Sequence, residues 1–444
     1  MFIVEKIVYA CFSTDIIHEG HLNIIREAKK LGRVIAGVMS DTAMVSYYRF
    51  PTKTFSERRE MIATIDGVSE TVVQEEVSYS KVIEKIRPDF VIHSDRWNTG
   101  PWYNIRKELI DLLATYGGKL IEVPYTINPE TIKSDKKVIA KLMMPEFRRK
   151  RLRQLLNLVM PVSSIPFLPV IKAMEVHSGL TGLIVEKTIV EKDKRFYQFD
   201  AMWISSLCDS LNKGKPDIEL VDMASRFRTI EDIMEVTTKP IIMDGDTGGL
   251  IEHFVYNVRT MERLGISAVI VEDKMGLKRN SLLGNEVEQT QAPIQDFCKK
   301  ISAAKNVLLT DDFMIIARIE SLILEKGLND ALTRAFAYVE AGADAIMIHS
   351  RQKVPDEIFA FCDAFRLQNK ITPLVAVPTT FNGATEAELA EHGINIVIYA
   401  NQLTRIAFPA MKHAVENILM NHRAKEIGSE LMPVKEVLTL IDEF

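Results

Sequence analysis

Carboxylates follow two apolar runs in the second half of the chain, where the runs end. Asp244 and Asp246 come after PIIM, and Glu272 and Asp273 come after AVIV. No His or Cys accompanies them at metal-ligand spacing, so the set offers only hard oxygen donors. Magnesium prefers such donors and commonly binds through few carboxylates together with waters and substrate oxygens. The residue types therefore indicate a magnesium site among these four side chains.

Basic and polar side chains stand close to the same carboxylates. Lys278 and Asn280 follow Glu272 within eight residues, and Arg318 and His349 close two further apolar runs. Together they could clamp an anion and stabilise charge on a moving phosphoryl group. This combination favours phosphate chemistry. One alternative stays open, in which Asp244 and Arg318 form a buried ion pair without a catalytic role.

The elements that must position these residues repeat as strand–helix units in the second half of the chain. The predicted strands are VIKAME, QFDAMWI, PIIMDGD, AVIVED, FMIIARIE, DAIMIHS, PLVAVP and NIVIYAN, each followed by a helical stretch. Eight units over about 280 residues are typical of a closed (β/α)8 barrel, whose catalytic side chains lie at the C-terminal strand ends. An open doubly wound sheet is the alternative, because periodicity does not show closure.

The first part of the chain also alternates short strands with helices. KIVYACF, RVIAGVM, ETVVQ, DFVIHSD and KLIEV are the predicted strands, and amphipathic stretches separate them. This predicts a small doubly wound parallel sheet. We therefore expect an α/β protein with an N-terminal domain over residues 1–135, a linker with a basic helix over 136–170 and the barrel over 171–444.

Composition limits the classes of partner. The chain has 444 residues, a net charge of −5 and no long basic run, so nothing favours nucleic acid or an anionic membrane. The four cysteines are scattered, which fits a reducing cytoplasm better than a disulfide framework. The N-terminus lacks the pattern of a signal peptide, and no stretch is a good membrane span. We expect a cytoplasmic enzyme that acts on small molecules.

The segment Glu272–Ser281 resembles the gating-loop signature E-D-K-x-x-x-K-x-N-S of the isocitrate lyase/phosphoenolpyruvate mutase superfamily. WISSLCDS, GKPDIE, DGDTGG, IARIES and DAIMIHS support the resemblance, which covers roughly Glu146 to the C-terminus. The lysine-lysine-cysteine-glycine-histidine motif of isocitrate lyases does not occur in the sequence. Related phosphonopyruvate hydrolases lack the asparagine that Asn280 matches. The resemblance therefore implies the mutase reaction, with hydrolysis of phosphonopyruvate as the nearest alternative.

The resemblance also implies a role for each matching residue. The implied metal ligands for Mg²⁺ are Asp244, Asp246 and Glu272. The implied catalytic residues are Asp217, Lys278, Asn280, Arg318 and His349. The implied substrate-binding residues are Trp203, Ser205, Ser206 and Leu207. The substrates would be phosphoenolpyruvate and phosphonopyruvate, and the loop around Lys278 would close over them and exclude water.

The motif His18-Glu19-Gly20-His21, where the first strand turns into a helix, resembles the cytidylyltransferase (HxGH nucleotidyltransferase) superfamily. The resemblance implies that His18, His21 and Arg58 bind a nucleotide, with CTP as a possible substrate. Two departures are visible. Phe12, Ser13 and Thr14 replace the usual residues before the aspartate, and Pro124–Thr131 replaces a closing motif that contains an arginine. A nucleotide-sensing domain paired with a non-catalytic barrel is therefore the non-enzymatic alternative.

The C-terminal stretch TRIAFPAMKHAVENILMNH resembles the last helix that family members exchange between subunits. This implies a homodimer or a homotetramer.

Overall fold

The computed structural model describes residues 5–47, 49–98, 102–126, 129–159, 170–192, 195–276 and 278–441. It divides into two compact units, Met1–Leu168 with Ile189–Gln198, and Pro169–Thr188 with Phe199–Phe444. The basic helix predicted within residues 136–170 clusters with the first unit. No helix in the described ranges is long and apolar enough to cross a membrane.

The first unit contains a five-stranded parallel sheet. In chain order its elements are β1 (Ile7–Phe12), α1 (Glu19–Lys29), β2 (Arg33–Met39), α2 (Asp41–Val45), α3 (Phe55–Ala63), β3 (Val68–Gln74), α4 (Ser80–Ile86), β4 (Phe90–Ser94), α5 (Trp102–Ala114), β5 (Lys119–Val123), α6 (Pro129–Met143) and α7 (Pro145–Val159). The strand order is β3-β2-β1-β4-β5. Alternate residues of β1 enter separate cores, Val8 on one face and Tyr9 on the other, as expected for a sheet covered on both faces.

The second unit begins with β6 (Ile171–Glu175) and α8 (Gly179–Lys187). A short antiparallel hairpin, β7 (Val190–Lys192) and β8 (Arg195–Tyr197), interrupts it and belongs to the first unit. The second unit resumes at β9 (Ala201–Ile204) and α9 (Ser206–Asn212).

Further strand–helix units complete the second unit. They are α10 (Met223–Met234), β10 (Ile241–Asp244), α11 (Ile251–Leu264), β11 (Ala268–Glu272), β12 (Lys274–Met275), β13 (Thr290–Gln291), α12 (Ile294–Asn306), β14 (Met314–Ile319), α13 (Gly327–Glu340), β15 (Ala345–Ile348), α14 (Asp356–Gln368), β16 (Leu374–Ala376), α15 (Glu386–Glu391), β17 (Ile396–Tyr399), α16 (Gln402–Asn421) and α17 (Val434–Leu438).

Eight parallel strands close into a barrel in the order β10-β11-β14-β15-β16-β17-β6-β9. The last strand pairs with the first, with Ile396 opposite Ile171, and this closure excludes the open-sheet alternative. Strand side chains such as those of Ile270 and Ile316 are fully buried. The alternate strand residues Val269 and Ile315 share one continuous apolar core with helix side chains such as that of Phe297. The predicted (β/α)8 barrel and the predicted N-terminal parallel sheet are both confirmed.

Candidate active site

Two neighbouring strands position the acidic side chains at the C-terminal rim of the barrel. Asp244 is the last residue of β10 and Glu272 is the last residue of β11. Gly245 lies against β11, since a Cβ there would come within 2.8 Å of the Ile270 carbonyl oxygen. Asp246 adopts a left-handed backbone with φ +52°, and its backbone carbonyl oxygen accepts a hydrogen bond from the Glu272 amide. This strained backbone brings a second carboxylate to the rim, as is common at functional sites.

The Lys278 ammonium lies among these carboxylates. Its Nζ donates to Asp217 Oδ1 over 2.8 Å and forms a shorter contact with Asp246 Oδ1. Burial alone would lower the pKa of Lys278, but Asp246, Asp244 and Asp217 outweigh it and raise the pKa. The same surroundings act on Asp244, where burial is opposed by Lys278 and Arg318, so that its pKa falls to about 2. The rim therefore holds the Lys278 ammonium in a pocket of carboxylates.

The donor set at this place fits a hard divalent cation. Glu272 Oε1 is buried without a hydrogen bond, although Lys274 Nζ is 3.2 Å away, and Asp244 and Asp246 are both buried beside it. Burial raises the pKa of Glu272 to about 7 despite the opposing Arg318, and a divalent cation would favour its ionised form. Among the described residues, no group of three or more His, Cys, Asp or Glu side chains has the geometry of a preformed metal site. The predicted ligands thus lie together, but they surround Lys278.

Asp217 is joined to the loop that follows β12. Its Oδ1 accepts from Lys278, and its Oδ2 accepts from Asn280 Nδ2 over 3.0 Å. A second contact fixes the segment that carries Asp217, because Glu219 Oε1 accepts from both the amide and the hydroxyl of Thr247, each over 2.8 Å. Asp217, predicted from one motif, and Lys278 and Asn280, predicted from another, are therefore brought together. Glu219 was not singled out from the sequence.

Arg318 and His349 form a second cluster beside Glu272. Arg318 Nη2 is 2.9 Å from His349 Nδ1 and 2.6 Å from Ser281 Oγ, and Arg318 Nε donates to Glu320 Oε1 over 2.6 Å. Burial lowers the pKa of His349, and Arg318 lowers it further, which keeps the imidazole neutral. Since a guanidinium only donates, its contact assigns the acceptor role to Nδ1 and the proton to Nε2.

Glu320 is a residue of the site to which the sequence analysis assigned no role. It is fully buried and accepts hydrogen bonds from Arg318 and Ser281. Burial opposes its ionisation, but Arg318 holds the pKa of Glu320 well below the usual range. A signal existed in the sequence, because residues two apart near a strand end share a face, and Glu320 lies two positions after Arg318.

Ser205, Ser206, Trp203 and Leu207 lie where β9 turns into α9. Ser205 Oγ caps α9 by accepting from the Cys208 amide over 3.3 Å. Ser206 donates to Asp244 Oδ2 through its hydroxyl over 2.8 Å and its amide over 3.3 Å. The indole of Trp203 is 3% exposed, and its Nε1 has no hydrogen-bond partner in the described chain. Of the four predicted substrate-binding residues, Ser206 is thus tied directly to the acidic cluster.

Asp273 departs from the expectation that all four carboxylates face a metal. Its Oδ2 accepts from Tyr338 over 2.8 Å, Gln291 over 2.8 Å and Arg334 over 3.2 Å. Burial raises the pKa of Asp273 to about 6 against the effect of Arg334. Adjacent residues of an extended segment point to opposite sides, so Glu272 and Asp273 serve different neighbours. Asp273 is a structural residue behind the rim.

In the first unit, the predicted nucleotide-binding histidines lie together at the start of α1. The His18 side chain caps the helix by accepting from the Gly20 amide over 3.1 Å, and its ring centroid is 3.8 Å from that of His21. Burial, with His18 and Arg49 nearby, lowers the pKa of His21 to about 3. A Cβ at Gly20 would lie 3.7 Å from Thr126, so the segment that replaces the arginine motif passes beside the histidines.

Arg58 has a different setting from the two histidines. It is fully buried on α3, donates to Asp41 Oδ1 over 2.5 Å and lies 3.9 Å from Asp15 Oδ1. Asp15 in turn accepts from the Thr52 amide over 2.8 Å. The nucleotide contact predicted for Arg58 therefore stays a prediction that this burial does not favour.

Comparison with known protein families agrees with both units. The sequence model of the phosphoenolpyruvate phosphomutase family matches residues 168–419, and that of the cytidylyltransferase-like family matches residues 9–149. Phosphoenolpyruvate phosphomutase of Tetrahymena pyriformis is 35% identical over 271 residues, covering 61% of this chain and 86% of its own length. Phosphonopyruvate hydrolase of Variovorax is 36% identical over 270 residues, covering 60% and 89%.

Solved structures of the same two kinds of enzyme are also similar to this chain. Phosphoenolpyruvate phosphomutase of Streptomyces platensis has a TM-score of 0.58 and 32% identity, and the match covers 65% of this chain and 93% of that one. Phosphonopyruvate hydrolase in complex with oxalate and Mg²⁺ has a TM-score of 0.57 and 33% identity, with coverage of 66% and 94%. The chain belongs to the phosphoenolpyruvate phosphomutase family and carries a cytidylyltransferase-like domain before its barrel.

Proposed function

We propose that the barrel is a phosphoenolpyruvate mutase, which interconverts phosphoenolpyruvate and phosphonopyruvate. The observation that carries this proposal is the joint attachment of Lys278 and Asn280 to Asp217. These two contacts hold the loop over the acidic rim, where Lys278 is only 5% exposed. A mutase needs such a cover, because water would otherwise capture the phosphoryl group before it returns to the three-carbon fragment.

The carboxylates of Asp244, Asp246 and Glu272 would hold Mg²⁺. When bound there, the ion would neutralise the carboxylate and enolate oxygen of the substrate. Ser206, fixed by Asp244, and the amides at the start of α9 would bind the substrate carboxylate, with Ser205, Leu207 and Trp203 shaping that end. The chain thereby fixes one end of the substrate.

Arg318 and His349 would bind the phosphoryl group. Arg318 supplies a permanent positive charge, and the neutral His349 offers its Nε2 proton as a donor. In the rearrangement of phosphonopyruvate the carbon–phosphorus bond breaks, and the same phosphoryl group bonds to the enolate oxygen without gain or loss of atoms. Asp217 and Asn280 lie against this path. Positioning and charge neutralisation supply most of the catalysis in phosphoryl transfer.

Phosphorus NMR of the purified full chain with Mg²⁺ and phosphonopyruvate tests the proposal. We expect the phosphonate resonance to be replaced by that of phosphoenolpyruvate, and Asp217→Ala to abolish the change. Inorganic phosphate as the product would identify a hydrolase, the activity of the Variovorax relative. No change of the resonance would overturn the catalytic assignment of the barrel.

We further propose that the first unit transfers a cytidylyl group. In this reaction an oxygen of a phosphonate or phosphate acceptor would attack the α-phosphorus of CTP, and pyrophosphate would leave. Support comes from the paired rings of His18 and His21 at the start of α1, where backbone amides favour anions. Calorimetric titration of the full chain with CTP should show binding that His18→Ala weakens at least about tenfold. Absence of binding to the unaltered chain would contradict this proposal.

We also propose that the C-terminal region associates with a second copy of the chain. None of the described side chains of α16 is buried, and apolar residues cover it, including Phe408 at 71% exposed and Met411 at 62% exposed. Exposed apolar area of this extent is typical of an interface between subunits.

A further inference from the structure

Arg226 on α10 reaches the acidic rim from behind. Its side chain is 3% exposed, and its Nη1 donates to Asp246 Oδ2 over 3.0 Å. The Nε and Nη2 atoms have no hydrogen-bond partner in the described part of the chain. Arg226 lies in a helix rather than at a strand end, and none of the sequence motifs above contains it.

Burial of a guanidinium with two unpaired donor atoms is unfavourable, because each of these donors has lost its hydrogen bonds to water without gaining another. Such a placement persists where one strong contact or a function offsets that cost. Asp246 supplies that contact, because its carboxylate is itself buried and lies at ion-pair distance. The contact with Asp246 is therefore the interaction through which Arg226 can affect the site.

The two oxygens of Asp246 have separate partners. Oδ2 faces Arg226, whereas Oδ1 faces the Lys278 ammonium, beside the place that we assign to the divalent cation. A carboxylate can rotate about its last bond, and a contact to one oxygen removes that freedom. The contact with Arg226 consequently keeps Oδ1 directed towards the cation place.

We propose that Arg226 is a positioning residue that orients Asp246 for binding of the divalent cation, an inference that rests on the proposed cation site. Two effects of Arg226 oppose each other. Its positive charge repels a nearby cation, whereas the fixed carboxylate binds that cation better. Loss of an outer partner of a metal ligand typically lowers metal affinity about 10- to 100-fold, so orientation outweighs repulsion.

Electron paramagnetic resonance of Mn²⁺ added to the full-length protein without substrate measures this affinity independently of turnover. We expect Arg226→Met to weaken Mn²⁺ binding at least about tenfold, and Arg226→Lys to restore part of the loss. Arg228→Met is the matched control, because Arg228 lies on the same helix, is exposed and belongs to no part of the site. It should leave the affinity unchanged.

A double-mutant cycle with Asp246→Asn separates orientation from a general loss of structure. In the Asp246→Asn background, Arg226→Met should change Mn²⁺ affinity by less than about twofold, since the carboxylate to be oriented is gone. Unchanged or tighter Mn²⁺ binding by Arg226→Met alone would overturn the inference, as would an equal loss in both backgrounds. If Arg226→Met does not fold, Arg226→Lys replaces it in the same cycle. Failure of the unaltered protein to bind Mn²⁺ would overturn the cation site itself, and this role with it.

Discussion

Asn280 Nδ2 donates to Asp217 Oδ2 over 3.0 Å, while Lys278 Nζ donates to the other oxygen of the same carboxylate. One aspartate from the segment between α9 and α10 therefore holds two residues of the loop that follows β12. This relationship links the position of the loop to a carboxylate that we place beside the proposed phosphoryl path.

Asn280→Ala should shift the reaction towards hydrolysis. Without the amide, Lys278 is the one contact left between the described residues of the loop and Asp217, so water reaches the site and inorganic phosphate forms at the expense of phosphoenolpyruvate. We also expect the overall rate to fall about 100-fold, since misplacement of reacting groups by about 1 Å has effects of that size. Phosphorus NMR measures both products. Asn306→Ala, an exposed change at the end of α12, is the control; an unaltered product ratio for Asn280→Ala would refute this role.

Asp273→Asn should destabilise the barrel more than Asp330→Asn. Both aspartates bind Arg334, but Asp273 is fully buried, whereas the side chain of Asp330 is 31% exposed. Removal of the buried charge leaves the guanidinium with the partly exposed Asp330 as its remaining carboxylate partner and should cost about 3 kcal/mol, the low end for a broken buried pair, against about 1 kcal/mol or less for the exposed pair. Urea unfolding followed by circular dichroism provides the comparison. Equal shifts of the two midpoints would argue against the structural role of Asp273.

His21→Gln should remove a dependence of stability on pH in the first unit. The pKa of His21 is lowered from 6.5 to about 3 by burial. The unfolded chain therefore takes up a proton near pH 6.5 that the folded unit does not accept, and stability falls as the pH decreases from about 6.5 towards 3. A glutamine takes up no proton in this pH range, so the variant should lose less stability than the parent between pH 7.5 and pH 5.

Fluorescence can follow this unit alone. The chain has three tryptophans, and Trp97 and Trp102 both belong to the first unit, whereas Trp203 belongs to the barrel. In a Trp203→Phe background the emission reports on the first unit during denaturation. Parallel pH profiles with and without the His21→Gln substitution in that background would contradict the assignment of a depressed pKa to His21.

Phe408→Glu combined with Met411→Glu should convert the assembled protein into monomers. The two side chains are exposed on α16 and would bury apolar area in an interface. Two carboxylates placed there would be buried without a partner in the interface. The free energy of burying them is far less favourable than that of leaving them in water on the monomer. Light scattering after size exclusion gives the mass. Leu367→Glu introduces one such charge at an 84% exposed leucine of α14 and should not change the mass; a monomeric parent protein would disprove the proposed association.

The local pattern of apolar and polar residues was sufficient to predict the strands and helices that position the site. The run before Asp244 and the run before Glu272 are short and apolar because both faces of a barrel strand are buried. The gating-loop motif likewise placed Lys278 and Asn280 in one segment. These features depend on residues close together in the chain, so their types and spacing alone were informative.

Tertiary structure decided the remaining features. Barrel closure requires pairing between Ile171 and Ile396, which no local period reports. The separation of Glu272 from Asp273 depends on which neighbours each side chain meets after the chain has folded. Arg226 reaches Asp246 because α10 and β10 pack into the same apolar core after the chain has folded. Contacts between residues far apart in sequence carry no local periodic signal, because their energy arises from burial and charge in three dimensions.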